Sequence, residues 1–276
     1  CETQLLQTVH DLASSLDKKG QIDMIILDFS KAFDTVPHQR LLLKLKNYGI
    51  NGNIHKWISQ FLTKRQQRVV VDGEHSDWVH VDSGVPQGTV LGPLLFLLYL
   101  NDLPNNINST VRLFADDCVL YSTVKNPNDA LQLQTDLDTL NDWQNKWQMK
   151  FNTDKCFTLR ISHNRTQIHT EYTIGTSILK HTTSQSYLGI DITNDLKWGV
   201  HINKATSKAS KALGFIRRNL YSLPRHLKST AYLTLVRPHL EYSSTVWDPH
   251  TKELINQLER TQRQAARFVC SDYVNQ

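Results

Sequence analysis

The sequence lacks any cysteine arrangement that builds a site. Cys1, Cys118, Cys156 and Cys270 lie far apart, with no CxxC and no Cys/His cluster. That argues against a zinc centre and a disulfide framework, and for a reducing compartment rather than secretion. Long hydrophobic runs are missing too. The most apolar stretch, Val90 to Leu100, is too short to span a bilayer, contains Gly92 and Pro93, and reads as a core helix. There is no signal peptide, internal repeat or low-complexity linker, and the twelve histidines form no HExxH or comparable pattern. Trp57, Trp78, Trp143, Trp147, Trp198 and Trp247 have no spacing that marks a base-stacking platform, so they read as core or interface residues. One long segment has no acid at all. Residues 196–237 carry nine Lys and Arg and no Asp or Glu, so within a net charge of +5 this block is +9 and the rest is −4. The 276 residues, 39% hydrophobic and 21% charged, suffice for a substantial core in one large domain or two unequal lobes.

What the sequence does have is three carboxylates in two apolar settings. Asp28 follows Ile25-Ile26-Leu27 and precedes Phe29, and Asp116-Asp117 sit between Leu113-Phe114-Ala115 and Cys118-Val119-Leu120. Such runs predict buried strands, which hold acids at an end or a turn rigidly beside a core. Buried carboxylates need compensation, and a pair of hard divalent cations is the usual way to hold three of them around a phosphate substrate. The pattern points to phosphoryl transfer.

Around these acids, Leu5, Val9, Leu12 and Leu16 predict a first helix stopped at Lys18-Lys19-Gly20, followed by a strand over 22–29. Pro37 opens a helix through Leu45, and Ile54, Trp57, Ile58 and Phe61 line the next. Val69-Val70-Val71 and residues 78–81 are expected to pair as a hairpin across Asp72-Gly73. Residues 84–88 form a loop that feeds the helix from Val90, and residues 112–123 are two half-strands with Asp116-Asp117 at the tip. Leu133, Leu137, Leu140 and Trp147 mark an amphipathic helix, short strands follow near 157–161 and 186–192, and the chain is helical and basic after Asp195. Asp34, ahead of Pro37, reads as an N-cap; Phe33 by itself reads as a core aromatic, and Gln87 as a loop residue.

Leu27-Asp28-Phe29-Ser30-Lys31-Ala32-Phe33-Asp34, then residues 84–93 (Gly-Val-Pro-Gln-Gly-Thr-Val-Leu-Gly-Pro), then Phe114-Ala115-Asp116-Asp117 resemble blocks A, B and C of reverse transcriptases. The wording is closest to non-LTR retrotransposons of the LINE class, the jockey-like group in particular. Trp147 through Asn152-Thr153-Asp154-Lys155 resembles block D, and Tyr187-Leu188-Gly189-Ile190 block E, so the resemblance covers essentially the whole chain. It implies an α+β right-hand polymerase fold: a palm of antiparallel sheet backed by helices, with partial fingers, over residues 1–190, and a helical, basic thumb over 191–276. It also implies an RNA-directed DNA polymerase that extends a primer 3′-hydroxyl with deoxynucleotides. Asp28, Asp116 and Asp117 would be the catalytic, metal-binding triad, with the Phe29 carbonyl a further ligand, holding two Mg²⁺ ions for which Mn²⁺ could substitute. Phe33 would lie under the incoming sugar and exclude a 2′-hydroxyl. Gln87 and Gly88 would lie along the nucleotide, Ala115 beside the primer terminus, and Lys155 near the leaving pyrophosphate. Tyr187, Leu188 and Gly189 would grip the primer strand.

Family fingers carry basic residues that hold the triphosphate, placed further upstream of block A than this sequence reaches: only Lys18 and Lys19 precede Asp28. With no initiator methionine, the chain is read as a fragment of something longer. In the basic block, Lys204, Lys208 and Lys211 recur at i, i+4 and i+7, opposite Ile202, Ala205, Ala209, Leu213 and Ile216. No acid in the block is available for pairing, so these lysines, with Arg217 and Arg218, are predicted to bind a phosphate backbone. The alanine-rich apolar side does not suit a membrane surface. The expected partners are an RNA template, a DNA primer and deoxynucleoside triphosphates, with no membrane; the expected location, from the resemblance alone, is the nucleus with a cytoplasmic ribonucleoprotein stage. Two alternatives are a decayed or domesticated relative that binds RNA or RNA–DNA hybrid without polymerising, and a viral RNA-dependent RNA polymerase, against which Phe33 and the Pro-Gln-Gly loop argue.

Overall fold

The computed structural model describes residues 1–272. Packing divides the chain into two compact units: Lys19–Thr182, and Cys1–Lys18 together with the chain from Thr183 onward. The first helix, α1 (Glu2–Asp17), therefore packs with the C-terminal unit and buries Leu5 and Leu12 there.

The central unit starts with β1 (Gln21–Leu27), whose seven residues are all buried, as a continuous β-branched and aliphatic run dictates. Each of Met24, Ile25 and Leu27 contributes roughly 2 kcal/mol by leaving water. A short turn of helix α2 (Ala32–Thr35), then α3 (His38–Asn47) and α4 (Gly52–Leu62), lead into an arm of β2 (Arg65–Gln67), β3 (Val70–Val71), β4 (Glu74–His75) and β5 (Val79–Val81). The arm is two nested hairpins. β3 pairs with β4, and β2 with β5, so Val70 and Val71 do not pair with residues 79–81 as the sequence suggested. Asp72 and Gly73 both have positive φ, 51° and 87°, which closes a two-residue turn directly onto Glu74-His75 and leaves residues 79–81 for the outer pair.

Helix α5 (Leu91–Leu100) buries Leu95, Phe96, Tyr99 and Leu100, but Val90, Leu94 and Leu97 are exposed, so the apolar run is a core helix on one face only. Trp57 and Trp78 are likewise exposed, whereas Trp143, Trp147 and Trp247 are buried. β6 (Thr110–Phe114), β7 (Asp117–Thr123), α6 (Pro127–Trp147), β8 (Phe157–Ser162), the small β9 (Thr173–Ile174) and β10 (Ser177–Ile178) pair, and β11 (Lys180–Thr182) complete the unit. Pro127 at the start of α6 and the reciprocal Asn126/Asp129 capping box fix where that long helix begins. The main sheet has the order β11-β8-β1-β7-β6, antiparallel except for β11 against β8. Ile25, Leu27, Cys118 and Leu120 on one face join a core with Leu41, Leu45, Phe96, Tyr99, Leu133, Leu137 and Leu140 from α3, α5 and α6.

That core encloses a buried cation, Lys44. Its Nζ bonds to the Tyr99 carbonyl at 2.6 Å and to the Asp102 carboxylate, and lies 3.9 Å from the Trp147 ring centroid. Burial pulls its pKa down to about 8 against the opposing pull of Asp102.

The C-terminal unit holds the hairpin β12 (Ser184–Tyr187) and β13 (Ile190–Thr193), then α7 (Gly199–Asn219), α8 (Arg225–Leu235), α9 (Arg237–Glu241), α10 (Ser244–Trp247) and α11 (Lys252–Cys270). Ala209, Leu213 and Ile216 of α7 pack with Val236, Leu240, Ala265 and Phe268. No helix among the described residues is long and apolar enough to cross a membrane.

Candidate active site

The hairpin β6–β7 pairs Phe114 with Asp117, which leaves Ala115 and Asp116 as its two-residue tip. Ala115 has φ of 53°, a conformation in which glycine is customary, and the side chain there is a local strain of about 1 kcal/mol. On the other edge of β7, Leu27 of β1 stands opposite Cys118, so Asp28, one residue on, comes level with Asp117. Directly opposed residues of an antiparallel pair share a face, and the pleat puts these two acids on the face opposite Leu27 and Cys118. The register thus brings Asp28, Asp117 and the adjacent Asp116 to one end of the sheet.

The electrostatics agree with that proximity. Asp117 holds its proton above the ordinary carboxyl value of 3.8, first because the sheet surface partly removes it from water, then because of the charges of Asp116 and Asp28. Lys155 is the counter-charge, its Nζ 3.8 Å from Asp28 Oδ2. It arrives on a 3-10 turn, Thr153–Lys155, that is tied to β1 through the Asn152 amide bonding the Asp28 carbonyl at 2.7 Å. Phe29 stacks on Phe151 at 4.5 Å, which fixes the backbone beside Asp28. Cys156 lies against that backbone, its Sγ 3.5 Å from the Asp28 amide, and burial pushes its thiol up to about 11.

Among the described residues no three His, Cys, Asp or Glu side chains stand close enough together to hold one metal ion. The donor set nevertheless has the right chemistry: hard carboxylate oxygens, mutually repelling, with one exposed ammonium as their neighbour.

Block B is drawn onto block A. Phe33 stacks on Phe96 at 4.3 Å and is partly buried against the core. Val85 N–H bonds to the Phe33 carbonyl and Gly84 N–H to the Val36 carbonyl, both at 2.8 Å. Gly88 has φ of 75°, open only to a residue without a Cβ at little cost. Asp34 does not cap a helix. It sits inside the α2 turn, Pro37 holds the N-cap position of α3, and the Asp34 carboxylate accepts a 2.8 Å bond from Gln87 Nε2.

In the C-terminal unit the β12–β13 turn is Leu188-Gly189, with φ of 46° and 82°. Tyr187 is buried, its hydroxyl accepting from Gln4, so the hairpin offers Leu188 and Gly189 to its surroundings. Lys204, Lys208, Lys211, Arg217 and Arg218 all lie exposed along α7. Lys204 has an acid after all: the buried Asp191 of β13, at 2.6 Å. The sequence concealed this pair because Asp191 lies outside the acid-free block.

A scan against protein families matches residues 2–192 to the reverse transcriptase (RNA-dependent DNA polymerase) family. The chain belongs to the reverse transcriptase family. Jockey-like elements are among its relatives: it is 29% identical to the RNA-directed DNA polymerase from mobile element jockey of Drosophila funebris, over 96% of this chain and 30% of that protein. It is 28% identical to the probable RNA-directed DNA polymerase from transposon BS of Drosophila melanogaster, over 98% of this chain and 32% of that protein. This reverse transcriptase chain thus spans about a third or less of those relatives. Among solved structures, a telomerase from Candida tropicalis in complex with a fragment of telomeric RNA is similar, at a TM-score of 0.51 and 13% identity, over 99% of this chain and 44% of that one. That likeness agrees with a right-hand polymerase fold.

Proposed function

We propose that the chain is the polymerising part of a non-LTR retrotransposon reverse transcriptase, extending a DNA primer 3′-hydroxyl with deoxynucleoside triphosphates on an RNA template. The observation that carries this reading is the β1–β7 register, which levels Asp28 with Asp117 beside Asp116 at the hairpin tip. Asp28, Asp116 and Asp117, with the Phe29 carbonyl, would hold two Mg²⁺ ions, hard cations that prefer oxygen donors. Such ions would supply Lewis-acid activation of the attacking hydroxyl and charge neutralisation at the phosphates.

The chain's own residues account for the rest. Lys155, tethered near Asp28, offers positive charge to the leaving pyrophosphate. The free part of the Phe33 ring, fixed by Phe96, faces the sugar and leaves no room for a 2′-hydroxyl. Gln87 and Gly88 lie along the nucleotide, and Ala115 at the hairpin tip beside the primer terminus. We assign primer contact to Leu188 and Gly189 on a hairpin anchored by Tyr187, and phosphate-backbone contact to Lys208, Lys211, Arg217 and Arg218, with Lys204 shared between Asp191 and the nucleic acid. In this reading residues 1–190 serve as palm and partial fingers, residues 191–276 as thumb, and the protein acts in the nucleus after a cytoplasmic ribonucleoprotein stage.

The test is primer extension on an RNA template with Mg²⁺ and deoxynucleotides, comparing the chain, the chain extended upstream, and Asp116→Ala in each. Incorporation that disappears with Asp116→Ala supports the reading. Hybrid binding without incorporation in both lengths would replace it with a non-catalytic nucleic-acid-binding role.

A further inference from the structure

Asp34 is the acid that the catalytic reading leaves without a task, and its surroundings are built closely. Its carboxylate Oδ1 accepts from Gln87 Nε2 at 2.8 Å, and its backbone carbonyl accepts from Ser83 Oγ at 2.8 Å. A Cβ built on Gly84 would come within 2.8 Å of the Asp34 backbone, so the block B loop can approach Asp34 this closely only because residue 84 is glycine. From the other side the buried His38 holds the Gly84 carbonyl at 2.8 Å through Nε2. Asp34 and Gln87 border one polar cleft of about 560 Å³ together with Lys31, Arg65 and His80.

The chemistry of the pair is directional. An ionised carboxylate only accepts hydrogen bonds, so it can be met only by the amide nitrogen of Gln87, never by its oxygen. The side-chain amide, which would otherwise flip freely, is thereby locked with Oε1 turned away from Asp34. We infer that Asp34 is a positioning residue that fixes the amide of Gln87, so that this side chain presents an oriented acceptor to a hydrogen-bond donor on the sugar or base of the incoming nucleotide. The inference rests on the proposed placement of Gln87 along that nucleotide. An unlocked amide would spend part of its time in the wrong orientation, a loss felt in nucleotide binding more than in the chemical step.

A double-mutant cycle in the full chain tests this, with the KM for deoxynucleotide and kcat measured for Asp34→Ala, Gln87→Ala and the pair. The expected result is a KM raised about five- to tenfold in each single variant, kcat within about twofold, and a double variant no worse than Gln87→Ala. A swap separates orientation from simple structural support. Gln87→Glu sets two carboxylates against each other and should lose most activity, and Asp34→Asn in that background restores a bond with donor and acceptor reversed, recovering activity by threefold or more. Additive effects in the cycle, or no recovery in the swap, would overturn the inference. Where only the upstream-extended chain incorporates, the cycle is run in that form; if neither length incorporates, it is the functional reading that has failed, and the same cycle read in melting temperature then decides the Asp34–Gln87 bond, coupling supporting it and additivity overturning it.

Discussion

Strand β1 begins and ends near an aspartate, and the fold treats the two in opposite ways. Asp23, 3% exposed, is satisfied on every side: Gln21 Nε2 at 3.0 Å, Arg160 Nε at 3.2 Å and the Tyr172 hydroxyl at 2.8 Å. Asp28, 37% exposed, faces two further acids and has one flexible ammonium at 3.8 Å. Five residues apart, an odd number, they lie on opposite faces of the sheet. The first is the arrangement of a structural charge, fully compensated because it is buried. The second keeps negative charge concentrated and only partly compensated at the sheet end, which costs stability and suits a site that takes up cations and phosphates.

The largest effect expected from this contrast is at the partly compensated end. Asp28→Asn should lower primer extension by about 10³-fold, several kcal/mol of transition-state stabilisation, with an unfolding midpoint equal to or above that of the unaltered chain. Asp23→Ala should do the reverse: breaking a buried pair costs about 3–5 kcal/mol, and activity should fall only as the folded fraction falls, which denaturant titration read beside the extension assay will show. If both substitutions act through stability alone, the contrast collapses.

A subtler effect concerns acid. The folded chain holds the Asp117 proton more tightly than an unfolded chain does, so this group favours folding at low pH and ceases to as pH rises through its raised value. Asp117→Asn should therefore raise the melting temperature at neutral pH and flatten the stability profile just above pH 3.8, while abolishing incorporation. Melting curves between pH 3 and 7 check the sign. The smallest effect lies in the C-terminal unit. Gly189→Ala puts a Cβ at φ of 82° and 3.0 Å from the Tyr242 ring, which should cost about 1–2 kcal/mol and loosen the β12–β13 turn, visible as faster amide exchange there.

Much of this was legible in the sequence, for local reasons. Hydrophobic period placed β1, α1, α6 and α7 close to where they are, and apolar flanks marked a hairpin tip at Asp116-Asp117, one residue beyond the observed Ala115-Asp116 tip because Asp117 already pairs with Phe114. The arm was misread because turn chemistry at Asp72-Gly73 outweighs the hydrophobic similarity of residues 69–71 and 78–81. The cap assigned to Asp34 failed in the same way, a short-range rule overruled by a partner 53 residues on.

By itself, then, the sequence determined the order of the motifs, the kinds of elements that carry them and the three acids, since propensity, period and turn residues act over a few positions. Tertiary structure alone decided who meets whom: Asp28 with Asp117, Gln87 with Asp34, Lys44 within its aromatic surround, Lys204 with Asp191, and α1 with the C-terminal unit. Each of these pairings depends on strand register and helix packing across long stretches of chain, and a charge reveals whether it is structural or functional only when its partners, or their absence, come into place.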